Sequence, residues 1–337
     1  MEHRFHSAGL SNPQVSPIHN RNMPIRVGIL SCAHMHTYGF VATIRHRSDT
    51  QVVGIWDPDA ERGQSFAEKN QTQFFADRAE LLSQVDAVLI GSPNKLHAED
   101  IAAAAAANVH ILCEKPIATT PEEAAQIRKA ISGKDRVFMT AFPCRYSPSY
   151  DKLKASIDKI APIKALATTN RGSCPWGWFT EPELSGGGAM IDHTVHVADL
   201  LMDLLGEVPS QVHAQVGNGM YQKDWEDIAM LTLDFPSGIF ATLDSSWSRP
   251  DGYKTWGDVT MTVVGENGVI EMDMFGQEIQ RYSKAGHTVA GYGSNMDALM
   301  TEEFLNAIKE NRPAKTSMED GLKAAEVAMA AYASLEK

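Results

Sequence analysis

Short apolar runs alternate with helix-compatible stretches over residues 25–141. Ile25–Ser31 reads as a buried strand, and so do Gln51–Trp56, Val85–Ile90, Val109–Cys113 and Val137–Ala141. Between them, His34–His46, Asp59–Lys69, the alanine-rich Leu96–Asn108 and Pro121–Ser132 have the composition of helices. Apolar strands separated by helices of about a dozen residues predict a parallel sheet covered on both faces. Ligands of such sheets bind outside the C-terminal strand ends, near the point where strand order reverses. That singles out the loops 31–36, 57–59, 91–97 and 113–117.

The pattern changes after residue 144. Arg145–Ile157 reads as one helix. Candidate strands follow at Ile163–Thr169, Gln211–Val216, Ile228–Leu233, Ile239–Ser245, Val259–Val264, Val269–Met274 and Glu278–Tyr282. Turn sequences at 234–238 and 265–268 suggest hairpins. Met296–Lys309 and Ser317–Leu335 read as closing helices. The expected organisation is a tail over 1–24, a Rossmann-type domain over 25–144, and an α+β domain over 145–337. The last is built on a predominantly antiparallel open sheet of about six strands, and its final helices could pack back on the first domain.

Composition narrows the function classes. The 337 residues carry 42 acidic and 30 basic side chains, a formal charge of −12, which argues against nonspecific nucleic-acid binding. No apolar stretch of about 18 residues offers a membrane span. Cys32, Cys113, Cys144 and Cys174 are too sparse for a disulfide scaffold. A cytoplasmic protein is expected. The tail has no signal-peptide core; its His3, His6 and His19 form at most a weak metal tract, and Met23 offers an alternative start.

The first loop is an eroded dinucleotide fingerprint. Ser31, Ala33 and His36 stand where G-x-G-x-x-G would place its glycines. Small Ser31, Cys32 and Ala33 still allow a tight turn, followed by His34, and backbone amides at the helix start can receive a pyrophosphate. His36 instead puts a large side chain where close helix–strand packing is usual. Asp57 ends the second strand: it can accept the adenosine ribose hydroxyls and repel a 2′-phosphate, or simply cap the next helix. Ser92, Pro93 and Asn94 shape the third loop, and His97 opens the following helix, either touching cofactor or sitting half-buried. Glu114 and Lys115 end the fourth strand before Pro116. Lys115 is placed either to stabilise charge on a substrate oxygen or as a plain surface lysine.

Gly186–Gly206 (GGGAMIDHTVHVADLLMDLLG) carries the densest signal. On a helical wheel it is apolar nearly all round, except for a stripe of Asp192, His196, Asp199 and Asp203. Such a helix is buried, and its polar stripe must face partners or a polar cavity. Asp192 and His196 are one turn apart, so the carboxylate could orient the imidazole as a general base. A satisfied structural histidine, or a metal site using His193 or His196, are the alternatives; no metal is expected.

These motifs together resemble the Gfo/Idh/MocA oxidoreductases, the group of glucose–fructose oxidoreductase and inositol dehydrogenase. The resemblance rests on VGILSCAHMHTYG, WDPD, GSPNKLHAED, CEKP, the glycine-led helix and the closing NRPAKTSMEDGLKAAEVAMAAYASLE, and covers about residues 25–336. It implies that Lys115 is the family's active-site lysine and that Asp192 and His196 are its catalytic pair. Thr194 replaces a frequent glycine, and His193 is an unusual neighbour.

The implied activity is hydride transfer between nicotinamide, NAD rather than NADP, and a secondary hydroxyl or ketone of a sugar, sugar derivative or inositol-like polyol. Arg145, Tyr146, Arg171, Trp176 and Trp178 are candidates for the substrate wall alongside Asp192, His193 and His196, with simple packing as the alternative for each. Two other classes remain open: a non-redox enzyme that uses bound NAD transiently, and a noncatalytic ligand-binding protein on the same scaffold. A homodimer or homotetramer is expected, because the second sheet's helices suffice to cover one face only.

Overall fold

The computed structural model describes residues 23–335 apart from 251, 254, 285 and 292. The expected tail, up to residue 22, lies outside the described residues, as do His3, His6 and His19.

The first sheet contains β1 (Ile25–Leu30), β2 (Thr50–Trp56), β3 (Gln73–Phe74), β4 (Ala87–Ile90), β5 (His110–Cys113) and β6 (Phe138–Thr140). All pairs are parallel, in the order β3-β2-β1-β4-β5-β6. Helices α1 (Thr37–His46), α2 (Ala60–Lys69), α3 (Arg78–Leu82), α4 (His97–Ala106) and α5 (Pro121–Ile131) connect them. The pattern does not reveal β3 and α3, whose two and five residues are too short to show a period. Strand order reverses between β1 and β4, so the crevice opens above loops 31–36 and 91–97.

The single helix expected over Arg145–Ile157 is instead a 3₁₀ turn (Pro143–Tyr146) followed by α6 (Pro148–Lys154). Pro148 is the reason: it lacks an amide to continue a helix but suits a first helical position, and the Ser147 hydroxyl caps that start.

The second sheet is mixed, as β12-β11-β7-β10-β9-β8. It comprises β7 (Ile163–Thr169), β8 (Gln211–Gly217), β9 (Ile228–Asp234), β10 (Phe240–Asp244), β11 (Thr260–Gly265) and β12 (Gly268–Asp273), antiparallel except for the β7–β10 pair. The expected strand at 278–282 does not join it. Among the described residues β13 (Glu278–Ser283) pairs only with β14 (Gly286–Gly291), as a separate ribbon; its largely polar sequence offers little to bury against the core.

The inner sheet face, through Leu231, Leu233, Leu243, Met261 and Val263, packs on α8 (Ala189–Leu205), which follows the short α7 (Pro182–Ser185). The closing helices return to the first domain. α9 (Met296–Glu310) buries Met300, Phe304 and Leu305 with Val27, Ile29 and Phe40. α10 (Met318–Ser334) shares Met318 and Leu322 with the first sheet's other face and Val327 and Ala331 with the α8 core. Helix α8 thereby brings its N-terminal end to the C-terminal end of β5.

Candidate active site

α1 begins at Thr37, leaving His34–His36 in the turn. Ser31 adopts φ +63°, the left-handed conformation that glycine would take at no steric cost. Its hydroxyl offsets this by donating to Asp57 Oδ2 (3.0 Å) and accepting from Ala33 N (3.2 Å). Asp57 also receives Cys32 N (2.9 Å), Asp59 N (2.9 Å) and the Arg62 guanidinium at 3.0 and 2.5 Å. Both readings of Asp57 thus meet a crowded carboxylate: it braces two loops and its charge is paired with Arg62, which sequence reasoning did not single out. To accept ribose hydroxyls it must exchange some of these donors.

The crevice nevertheless fits a polar cofactor. Thr37 Oγ1, Asn94 Oδ1 and Glu114 Oε1 are buried without hydrogen-bond partners, a costly arrangement unless a ligand completes it. A Cβ on Gly91 would collide with the Thr37 hydroxyl, so glycine keeps this turn close to the first loop.

Lys115 and Asp192 meet where the two domains join. Lys115 Nζ donates to Asp192 Oδ1 at 2.5 Å and to the Asp192 carbonyl at 3.2 Å, and both residues are 5% exposed. Asp192 Oδ2 accepts from Trp247 Nε1 at 3.2 Å and lies 3.3 Å from His193 Nε2. Burial alone would raise the Asp192 carboxyl, but the charge and hydrogen bond of Lys115 outweigh it and hold it well below the usual range. An ammonium has three protons; two are engaged, and one is left to serve a substrate oxygen.

The glycines before α8 place this carboxylate. Gly186, at φ +82°, closes α7 in the left-handed region. At Gly188 a Cβ would run into the Glu226 carbonyl. Glu226 Oε1 then accepts from Gly188 N (2.9 Å), Met190 N (3.0 Å) and Tyr332 Oη (2.6 Å), capping the helix from a distant loop.

His196 is half-buried, its ring edge-on to Phe142 at 6.1 Å, and its Nδ1 has no partner. Burial, reinforced by the Lys115 charge, keeps it neutral, far below the usual histidine range. The expected hydrogen bond from Asp192 to His196 is absent. The carboxylate turns instead to Lys115 and Trp247, two partners from other elements that helical spacing cannot reveal. His193 is buried against Trp247, Trp256 and Gly172, and Asn170 Nδ2 donates to its carbonyl at 2.9 Å.

On the other side of Lys115, the carboxylate of Glu114 lies among histidines. His34 Nδ1 and His36 Nδ1 stand 3.3 and 3.2 Å from Glu114 Oε1. Burial drives the His34 pKa down to about 3, so it is neutral and forms no ion pair there. Glu114 is lowered to about 2, because the charge and hydrogen bond of His36 and the charge of Lys115 outweigh its burial. His36 is raised despite burial, by Glu114.

Other expected residues are placed differently. His97 is fully buried, with Nδ1 2.8 Å from the Pro116 carbonyl and Nε2 2.9 Å from that of Ser92, so it ties two crevice loops together. Ser92 Oγ donates to Asp100 (2.7 Å), and Asn94 Nδ2 to the Ser185 carbonyl (2.8 Å). Arg145 is buried against the polar stripe of α8, donating to Asp199 Oδ2 at 2.7 Å and pairing with Asp203. Tyr146 bonds Thr316 (3.1 Å). Arg171 pairs with Asp258 (2.8 Å). Trp178 donates to the Ala33 carbonyl (3.1 Å) and stacks on Phe179, supporting the first loop. Trp176 is exposed. The residues that reasoning from sequence missed, Trp247, Trp256, Glu226 and Asn170, lie in loops or strand ends with no motif; only folding brings them here.

Comparison with known proteins agrees with this arrangement. Residues 25–142 match the model of an oxidoreductase family with an NAD-binding Rossmann fold, and residues 156–271 match the GFO/IDH/MocA C-terminal domain. The D-glucoside 3-dehydrogenase of Escherichia coli (strain K12) is 31% identical over 191 residues, 54% of each chain; the match thus spans about half of that relative. The myo-inositol 2-dehydrogenase of Thermotoga maritima is 27% identical over 93% of this chain and 97% of its own. The structure of GenD2 from gentamicin A biosynthesis, in complex with NAD, superposes with a TM-score of 0.83 at 21% identity, covering 98% of both chains. Two matched domains in the family's order, with a lysine at the end of β5 meeting an aspartate at the head of α8, make this chain a member of the Gfo/Idh/MocA family, an NAD-dependent oxidoreductase.

Proposed function

We propose that the protein oxidises a secondary hydroxyl of a sugar, sugar derivative or inositol-like polyol, or reduces the corresponding ketone. The observation that carries this reading is the buried Lys115–Asp192 pair with one ammonium proton free. Relatives named for glucoside and inositol dehydrogenation support the substrate class.

NAD, when bound, supplies hydride acceptance and return. Loop 31–36, Asp57 and the 91–94 turn would hold it, with Asp57 sharing its ribose contacts with Arg62. Lys115 donates to the reacting oxygen and stabilises its developing negative charge. Asp192 keeps Lys115 aimed. His196, neutral and with an uncommitted Nδ1, accepts the hydroxyl proton in oxidation and returns it in reduction. His193, beside Trp247 and Trp256, forms part of the wall around the substrate.

The test is turnover on a panel of sugars and polyols with folded, NAD-loaded protein. Lys115→Ala and His196→Ala should each lower kcat by about 100-fold or more. Near-normal kcat in both would remove the basis for these roles, and turnover without net NAD reduction would transfer them to transient oxidation and elimination.

The second domain's outer face supports a homo-oligomer. Phe240, Ala165, Val264 and Val269 stand side by side across β10, β7, β11 and β12, and Phe240 is 48% exposed. A second copy covering this row would give a dimer, or pairwise a tetramer. A cytoplasmic setting agrees with four free cysteines.

A further inference from the structure

His34, His36 and Glu114 take no part in the proton and oxygen chemistry above, yet they converge. One ligand atom from each lies within 4.8 Å of the others. The neutral His34 accepts a hydrogen bond from the His36 amide at Nδ1 (3.3 Å), so its proton sits on Nε2. That Nδ1 therefore lies 3.3 Å from a carboxylate oxygen with no proton of its own to offer it. Glu114 Oε1 and His34 Nε2 are buried and meet no partner in hydrogen-bond geometry, and Glu114 and His34 are 1% and 2% exposed. Two imidazole nitrogens beside one buried carboxylate oxygen form a donor set that a proton on His36 satisfies in part and a metal cation can satisfy whole.

Two of the separations agree with a particular kind of cation. Tetrahedral bonds of about 2.0–2.1 Å to nitrogen and oxygen put neighbouring ligand atoms about 3.3–3.4 Å apart. The two nitrogen–oxygen separations are 3.3 and 3.2 Å. Imidazole ligands suit zinc, cobalt or nickel; magnesium and calcium prefer an all-oxygen shell. Asp297 on α9 bears on His36 and Glu114 as a further carboxylate beside the cluster, while the neighbouring Lys115 is neutralised by Asp192. His36, about one-third exposed, gives a path from solvent.

We propose that His34, His36 and Glu114 form a binding site for one divalent transition-metal ion of the zinc class, built into the turn where the dinucleotide fingerprint would carry its glycines. The site explains why the large side chain of His36 stands at a position usually kept small. With two neutral imidazoles and one carboxylate, the filled site carries one net positive charge beside the crevice that receives the cofactor's pyrophosphate.

The experiment uses full-length, NAD-free protein carrying His3→Asn, His6→Asn and His19→Asn, which removes the tail histidines as competitors. After chelator treatment and dialysis, Zn²⁺ is titrated calorimetrically and Co²⁺ by its visible absorption. The expected result is one ion per chain, with His36→Gln and Glu114→Gln each weakening binding at least tenfold while metal-free melting and circular dichroism show both variants folded. Anomalous scattering from Zn²⁺-soaked crystals gives a measurement that needs no variant; density between the three side chains is expected. No stoichiometric binding, equal binding by both variants, or density only elsewhere would overturn the proposal. None of these results bears on the roles of Lys115 and His196, which kcat tests separately.

Discussion

Asp192→Asn removes one charge and almost no volume from the joint between the domains, so its effect can be worked out closely. The amide can still accept from Lys115 through its oxygen. Its NH₂ group then occupies the place of Oδ2, facing the Trp247 Nε1 proton that Oδ2 accepts at 3.2 Å. The variant therefore strands a buried ammonium and opposes two donors. Breaking a buried pair by removing one partner costs about 3–5 kcal/mol. At an unfolding entropy of about 2.1 cal/mol/K per residue, that lowers the melting temperature of a chain this long by about 4–7 °C. Lys115→Met, which leaves the carboxylate buried with Trp247 and His193, should cost a similar amount. The double variant Lys115→Met/Asp192→Asn strands no full charge, so it should be more stable than the sum of the singles predicts, by about 2–3 kcal/mol of coupling. Denaturant titration and calorimetry of all four proteins give the cycle, and kcat should fall by about 100-fold or more in every variant. Additive stability losses would refute the claim that the two residues act as one buried charge pair. Additivity together with near-normal kcat would also remove Asp192 from the reaction.

Further outcomes follow from other parts of the structure. Burial keeps His193 and His196 neutral, lowering both below the ordinary histidine value of 6.5. The unfolded chain protonates them as pH falls through 6.5 and the folded chain does not, so stability is full above that pH and declines below it. The slope from His196 approaches about 1.4 kcal/mol per pH unit, with a further contribution of the same sign from His193; His196→Asn should flatten it by one proton's share, and an unchanged slope in urea titrations from pH 7 to 5 would count against a buried neutral His196. Gly188→Ala, forced against the Glu226 carbonyl, should cost about 1–3 kcal/mol, read as a lower denaturant midpoint with unchanged slope. Phe240→Glu, in the exposed row on the second sheet, should shift light scattering from a multiple of the chain mass to a single one, and a wild-type monomer at micromolar concentration would refute the dimer. NAD should bind more tightly than NADP in calorimetric titration, and Asp57→Ser should narrow the difference; tighter NADP binding would mean that Arg62, paired with Asp57, governs the ribose end instead.

Much of this was legible in the chain itself. Period and length were enough for β1, β2, β4 and β5 and for the long helices α8 and α10, because a strand buried on both faces or a helix buried nearly all round leaves an unambiguous apolar record. The order of motifs, a lysine closing one strand and an aspartate heading one helix, located both halves of the Lys115–Asp192 pair. What the sequence could not decide is direction and company. Asp192 and His196 share a helical face, yet the carboxylate turns to Lys115 and Trp247, because attraction to a buried ammonium outweighs proximity along the helix. Arg145 and Tyr146, plausible in a substrate wall, are drawn into the stripe of Asp199 and the contact with Thr316. His97 is used up by two loop carbonyls, and Asp57 is shared among four neighbours. Each of these is settled by which charges and lone pairs meet once water is excluded, and residues far apart in the chain supply them. The same holds for Glu114 and the two histidines that replace part of the fingerprint: 78 residues separate His36 from Glu114 in sequence, and only the parallel ordering of β1, β4 and β5 brings them to one edge.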